Sequence, residues 1–323
     1  MATLQAIKDQ AAFSFNPRRL KLTLLPTEQC NFRCRYCYED FKIGKMTPRV
    51  VSAIKSLLTN RGPELERLDI SWFGGEPLVA KEIVHDIQAH AFDVCEQYGV
   101  HLNASMTTNG YLLNADTLQT LSKIGVKHFQ ISLDGKEDVH NKNRVLASGA
   151  GTFDKIWNNL LSAARTDIPF EIALRIHITA QNLYNVEDFV EDCWASFAYD
   201  QRFAFFFKKI TNLGGSKDVV AAIPDNETAT SVYNHLLAKY PTKTVDHGFQ
   251  VCYAAQPNAF VVRSDGRLAR CTVAFGAESN HVGAISGHGE MSIDIEKLNL
   301  WFKGFTTLDE ASLTCPLAAL RLY

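Results

Sequence analysis

The sequence predicts an α/β fold, a parallel sheet wrapped by crossover helices. Three observations predict it: strand-like and helix-like stretches alternate through the first two thirds of the chain, the strand-like ones are rich in β-branched and aromatic residues, and several close on polar clusters. In chain order the strands are LKLTLLP (20–26), RLDISWFGG (67–75), HLNASMTTNG (101–110), KHFQISLDG (127–135), EIALRIHIT (171–179) and RFAFFFKKI (202–210). Helical patterns fall between them, as in TPRVVSAIKSLL (47–58), AKEIVHDIQAHAFDVCEQY (80–98), NADTLQTLSKIG (114–125) and TFDKIWNNLLSAAR (152–165). Six such units are too few for a closed eight-stranded barrel.

After about residue 211 the alternation fades. TNLGGSKDVVAAIPDNET reads as a Gly/Pro-punctuated link or lid leading into one more helix, TATSVYNHLLAKY. From about residue 246, CYAAQPNAFVVRSDGRLARCTVAF holds two apolar strands around SDG, a hairpin signal. The expected division is a barrel-like domain over 1–245 and a small hairpin-containing domain over 246–323.

Composition bounds the function. The 323 residues are 46% apolar and 21% charged, ordinary for a globular chain, and the formal net charge is -2. Without a lysine–arginine run, an electrostatic grip on nucleic acid is not expected. The N-terminal stretch lacks the apolar core of a signal peptide, and no apolar run is long enough to span a bilayer, so a cytoplasmic location with no membrane partner is expected. Eight cysteines in such a chain point to metal or redox chemistry rather than disulfides. Cys95 and Cys193, each alone in a helical pattern, read as buried structural thiols.

Three more cysteines crowd into CNFRCRYCYED: Cys30, Cys34 and Cys37. Structural zinc usually takes four protein ligands, and no histidine or fourth cysteine lies near this loop. Three thiolates are also what a cubane iron–sulfur cluster accepts when one iron is left for a substrate or cofactor. A cluster is the favoured reading, with zinc or reactive thiols as the alternatives. The loop follows the first strand, at the end where barrels of this kind carry their active sites.

These residues, with Tyr36 before the third cysteine, resemble the Cx3CxΦC signature of the radical S-adenosylmethionine (SAM) superfamily. The resemblance implies an open (β/α)6 partial barrel of the TIM-like type and a [4Fe-4S] cluster whose unligated iron chelates the methionine part of SAM. It further implies reductive cleavage of SAM to a 5'-deoxyadenosyl radical that abstracts hydrogen from the substrate. FGGEP at 73–77 resembles the family's GGEP motif, placing Gly74, Gly75, Glu76 and Pro77 against SAM; the glycines allow close backbone approach and Glu76 suits an ammonium. Asn109 in TTNG, and Ser132 and Asp134 in SLDG, offer polar groups of the kind that read a ribose or an amino acid, or else simple turn chemistry. The family's SAM-contacting serine and arginine match Ser132 and Arg144. Arg175 alternates with apolar neighbours and is expected to face the barrel, serving cofactor, substrate or a structural ion pair; His177 reads as a hydrogen-bonded core histidine.

The C-terminal cysteines extend the resemblance. Cys252 is followed by thirteen residues, Gly266, four residues and Cys271, similar to the CX9-15GX4C opening of SPASM and twitch domains, which hold auxiliary iron–sulfur clusters. The CX2CX5CX3C run of a full SPASM domain is not matched: Cys315 fits its second position, but Ser312 stands at the first and Arg321 at the third. Three cysteines, Cys252, Cys271 and Cys315, imply one auxiliary cluster in a shortened, twitch-like domain. Enzymes with this arrangement are mostly peptide or protein maturases, so the expectation is an oxidative modification of a peptide, with an external flavodoxin- or ferredoxin-type electron donor. Leader recognition then falls to a separate leader-binding partner, to the barrel surface, or is absent. The alternatives are a twitch-type oxidase of a small molecule and a non-catalytic metalloprotein.

Overall fold

The computed structural model describes residues 4–213, 219–240 and 249–320. All six expected strands form, as β1 (Arg19–Leu24), β2 (Arg67–Trp72), β3 (His101–Thr108), β4 (Val126–Leu133), β5 (Glu171–Ile178) and β6 (Phe203–Lys209). They pair in chain order and in parallel, with Leu22 beside Ile70 and Ser132 beside Arg175 as examples of the register. Parallel pairing requires long crossovers. Helices Pro48–Arg61, Lys81–Tyr98, Ala115–Lys123, Phe153–Ala164 and Val186–Phe197 supply them.

Capping fixes where these helices begin and end. The Thr47 side chain accepts from the Val50 amide just before Pro48, and Gly99, at φ 66, ends the helix that Tyr98 closes. Along β5 the period of two divides the strand: Ile172, Leu174, Ile176 and Ile178 are buried in the main core, whereas Arg175 and His177 line a cavity inside the curved sheet. Cys95 and Cys193 are buried in the core, as expected of structural thiols.

The hairpin is β7 (Ala259–Val262) and β8 (Arg267–Ala269). It does not stand apart from the barrel sheet: β7 runs parallel to β1, with Leu22 beside Phe260, and extends the sheet on that edge. Two further strands, β9 (His281–Ile285) and β10 (Met291–Ile293), continue it in antiparallel fashion. Both are short and weakly apolar, and Gly283 interrupts β9, so no period-two pattern announces them. The helices Leu4–Phe15 and Glu137–Asn143 were likewise not signalled. Within the expected link a short helix spans Val219–Ala222; residues 214–218 of that stretch, and Arg321, lie outside the described residues.

Across the β1–β7 seam the Arg263 guanidinium makes a two-point ion pair with Glu28, both side chains being buried. The turn of the hairpin is thereby fastened to the segment that leads into the first cysteine loop.

Candidate functional site

The cysteine loop leaves the C-terminal end of β1 and runs beside residues 143–147. Phe32 forms an antiparallel bridge with Leu146, the Arg33 and Arg35 amides donate to Val145 and Asn143 at 2.8 and 3.0 Å, and the Ala147 amide donates to Asn31 at 2.8 Å. This pairing brings Arg144, more than a hundred residues downstream, against the loop. Cys30, Cys34 and Cys37 all line one cavity at the strand ends, together with Tyr36, Gly74, Gly75, Glu76, Asn109, Ser132 and Arg144. Sequence positions spread over more than a hundred residues thus converge.

The glycines of FGGEP serve a close approach of chain to chain. A Cβ on Gly75 would lie 2.4 Å from the Gln29 carbonyl oxygen, and one on Gly74, at φ 117, the same distance from the Thr27 carbonyl oxygen. Only glycine lets this loop lie against the backbone that precedes Cys30. Pro77 opens a single 3-10 turn, Pro77–Ala80. The fully buried Glu76 side chain is committed: it accepts from the Leu78 amide at 3.0 Å, the Thr108 hydroxyl at 2.8 Å and the Asn109 amide at 2.7 Å. It joins the β2 loop to the end of β3. Burial raises its carboxyl, against these three donors.

Asn109 in turn donates to the Asn31 side chain at 2.8 Å, with its amide nitrogen 4.0 Å from Cys30 Sγ. Tyr36 is the hub of a second network. Its hydroxyl donates to Asp134 Oδ1 at 2.7 Å and accepts from Arg144 Nη1 at 2.9 Å, and His177 Nδ1 lies 3.0 Å from the same Asp134 oxygen. Burial would raise the Asp134 carboxyl, but the His177 hydrogen bond and the nearby Arg144 charge hold it at about 2. Burial also lowers the His177 imidazole, so a neutral ring donates from Nδ1 to an ionised Asp134. Arg144 is pulled down by burial, yet Tyr36, Cys34 and Asp134 keep it above its ordinary value. The core-histidine reading of His177 thus describes its packing and its hydrogen bond, while its ring also lines the cavity.

Burial pushes the thiols of Cys30 and Cys37 up to about 12, and raises Cys34 as well. Among the described residues, no three His, Cys, Asp or Glu side chains are grouped as a single metal ion would need.

Cys252, Cys271 and Cys315 form a second group. After burial, the neighbouring Cys271 and Cys315 are what raise the Cys252 thiol. The Cys252 amide donates to Leu313 at 2.9 Å, which draws the C-terminal helices onto the hairpin. The Asn280 side chain holds Cys271 from both sides, accepting from its amide at 2.8 Å and donating to its carbonyl at 2.9 Å. Buried Arg270 caps the carbonyls of Ala254, Gln256 and Ala259, so the segment after Cys252 is laced to the strand before Cys271. Cys315 is exposed, at the end of the helix Glu310–Thr314. Ser312, the position where a longer motif would carry cysteine, instead donates its amide to the capping Asp309 carboxylate at 2.9 Å. Tyr38 lines both the cavity of the first cysteine loop and the neighbouring space against the hairpin, and after burial Glu39, then Cys37, Tyr253 and Cys271 raise its hydroxyl.

Sequence reading missed Asn31, Glu28, Glu39 and Asn182. Asn182 donates to the carbonyls of Asp134 and His177 at 2.5 and 2.8 Å and so fixes that pair. Local pattern carries no signal for such roles, because the partners are tens of residues away.

Comparison with known proteins fits this arrangement. A GTP 3',8-cyclase of Campylobacter fetus subsp. fetus is 39% identical over 115 residues, 33% of this chain and 32% of that protein. The sporulation killing factor maturation protein SkfB of Bacillus subtilis is 26% identical over 175 residues, 54% of this chain and 39% of SkfB. The matches thus span well under half the length of these curated relatives. Among solved structures, anSMEcpe with bound AdoMet and a peptide superposes with a TM-score of 0.62 at 18% identity, covering 86% of this chain and 80% of that one. Streptococcus suis SuiB bound to its precursor peptide SuiA gives 0.57 at 14% identity, over 92% and 67%. Both likenesses are of fold. The profile of the Radical SAM superfamily matches residues 24–193, more than half of the chain and the stretch that carries the first cysteine loop, and the chain belongs to that superfamily.

Proposed function

We propose that this chain is a radical SAM enzyme that carries out an oxidative modification of a peptide. The observation that carries the reading is that Cys30, Cys34 and Cys37 line one cavity at the strand ends, together with Gly74, Gly75, Asn109, Ser132 and Arg144. The donor set fits an iron–sulfur cluster: three thiols border one cavity, and three thiolates suffice for a cubane that leaves one iron open. Cys30, Cys34 and Cys37 would hold a [4Fe-4S] cluster, and Cys252, Cys271 and Cys315 one auxiliary cluster, with 1–245 as the core and 246–323 as a twitch-like extension. When bound, the first cluster and SAM supply reductive cleavage to a 5'-deoxyadenosyl radical and abstraction of a substrate hydrogen.

The chain's own residues then position and enclose. Asn109 and Asn31 brace the Cys30 end of the loop, and Tyr36, through Asp134, fixes the Cys34–Cys37 end. Arg144, held between Tyr36 and Cys34, offers a guanidinium to the SAM carboxylate, aided by Ser132. The partly buried Gly74 and Gly75, which line the cavity, complete the cradle, while Glu76 acts chiefly by holding that loop to β3. An external flavodoxin- or ferredoxin-type protein supplies the electron, and a separate partner binds the leader of the peptide.

Two structural neighbours that carry bound peptides, and the maturation protein SkfB, favour a peptide. The cyclase matches favour a small-molecule substrate: one is 39% identical over a third of each chain, another 23% identical over 76% of this chain and 70% of that protein. Anaerobic reconstitution, followed by assay of 5'-deoxyadenosine and of peptide mass with the precursor encoded beside the gene, tests the reading. Deoxyadenosine formation with a mass change in the peptide is expected; no deoxyadenosine from an iron-loaded sample would defeat it.

A further inference from the structure

Among the described residues, two cations of the cavity wall have no acidic partner within ion-pair distance. Arg175 on β5 and Lys208 on β6 both line the space that Cys30, Cys34 and Cys37 border. Arg175 lies beside Ser132 in the sheet register, and Lys208 beside His177. The Arg175 guanidinium carbon is 6.0 Å from the Phe206 ring centroid, and its Nε is buried without a hydrogen-bond partner. Among the described residues no ion pair or hydrogen bond reaches the Lys208 ammonium. The nearest carboxylates of the cavity are engaged elsewhere, Glu76 with three donors and Asp134 with Tyr36 and His177. Glu39 also lines the cavity, and the largest charges acting on it are Glu28 and Arg263, not Arg175 or Lys208. Arg175 and Lys208 stand two register positions apart on adjacent strands, Arg175 beside Phe206 and Lys208 beside His177. Burial lowers Arg175, against Tyr36, Tyr38 and Asp134, and Arg175 is the first charge that lowers Lys208. Arg175 is partly buried and Lys208 exposed at the mouth of the space. A partly buried guanidinium is costly to hold unpaired, and a guanidinium near an ammonium matches a carboxylate in shape and charge.

We propose that Arg175 and Lys208 form a subsite for a carboxylate of the substrate, either an acidic side chain or a peptide C-terminus. The assignment rests on the peptide-modifying reading above. SAM carries one carboxylate, and Arg144, beside Cys34 at the cysteine-loop end, is placed to take it. β5 and β6 lie at the other edge of the six-stranded parallel sheet, away from β1 and its loop.

The test uses anaerobically reconstituted, immobilised holoenzyme with SAM and two random hexapeptide pools. One pool carries Asp or Glu and a free C-terminus; the other carries Asn or Gln and a C-terminal amide. Retention, read by mass spectrometry without turnover, should favour the acidic pool by about tenfold, the worth of one good charge contact. Arg175→Gln should abolish the preference and Arg175→Lys should keep part of it. Lys208→Glu, at a strand edge where folding tolerates it, should turn the preference toward a lysine-bearing pool. Equal retention of the two pools by the wild type would overturn the proposal. So would an unchanged preference in Lys208→Glu, or a loss of SAM affinity in Arg175→Gln as large as its loss of acidic peptide, which would give the cations to the cofactor. Absence of 5'-deoxyadenosine from the same wild-type sample defeats the enzymatic reading instead, so the two failures are told apart.

Discussion

The Tyr36 hydroxyl donates to Asp134 Oδ1 at 2.7 Å, tying the residue between the second and third cysteines of the loop to the end of β4. One hydroxyl serves two buried charges, since Arg144 donates to the same oxygen. Tyr36→Phe keeps the ring but leaves Arg144 and Asp134 each short of a partner, a loss of about 1–3 kcal/mol. Urea denaturation of the metal-free protein should show a lowered midpoint with an unchanged slope, and SAM affinity of the reconstituted protein should fall. An unaltered midpoint would mean that the loop is held by its pairing with residues 143–147 alone.

Gly75 tests whether the GGEP loop acts through packing. Its missing Cβ would lie 2.4 Å from the Gln29 carbonyl oxygen and 2.8 Å from that of Glu28, both backbone atoms that cannot swing aside. Gly75→Ala should therefore destabilise by about 1–3 kcal/mol or more and displace the segment before Cys30, lowering the iron taken up on reconstitution. Gly44→Ala, where nothing lies within 4 Å, is the control and should leave both measurements unchanged.

The strands and their order were legible because a period-two burial pattern acts locally: Ile172, Leu174, Ile176 and Ile178 announce β5 without reference to any partner. The motif residues were legible for a different reason, that cysteine and glycine at fixed spacing are expensive to place by chance. What could not be read was which backbone met which. The pairing of 31–35 with 143–147 places Arg144, and the parallel join of β7 to β1 makes the hairpin part of the barrel sheet, yet both are long-range events with no local pattern. Glu76 shows the same limit: its acidity was evident, but two of its three donors, Thr108 and Asn109, come from the end of β3. The short strands β9 and β10 escaped because strands of three to five residues carry too little apolar periodicity to register.

His140 gives the apoprotein a pH dependence of defined sign. It is fully buried beside Thr152 and Phe153, and burial, then Arg144, lowers its imidazole to about 3. The folded state thus binds its proton more weakly than the unfolded chain, whose histidine titrates near 6.5. Stability from the neutral ring is full above that value and is lost as pH falls toward 3. At about 1.4 kcal/mol per unit, the step from pH 7 to pH 5 should cost roughly 2 kcal/mol. His140→Gln should be less stable at pH 7 but should flatten this slope; a wild-type profile flat between pH 7 and 5 would contradict the buried neutral ring.

The two thiol groups should separate by what their loss does. Each of Cys30, Cys34 and Cys37 is bound into the loop that borders the cavity, so replacing any one by alanine should abolish formation of 5'-deoxyadenosine from SAM and lower the iron content. Cys252 and Cys271 do not line that cavity, and their backbones are fixed independently through Leu313 and Asn280. Cys252→Ala or Cys271→Ala should therefore lower iron while leaving cleavage of SAM in the absence of peptide substantially intact, and should suppress the change in peptide mass. The order of effects matters more than their size. If the Cys271 variant kept all its iron, the second group would be three thiols without a cluster; if it lost SAM cleavage as completely as the Cys34 variant, the groups would act as one site, and the hairpin would be needed to form the first.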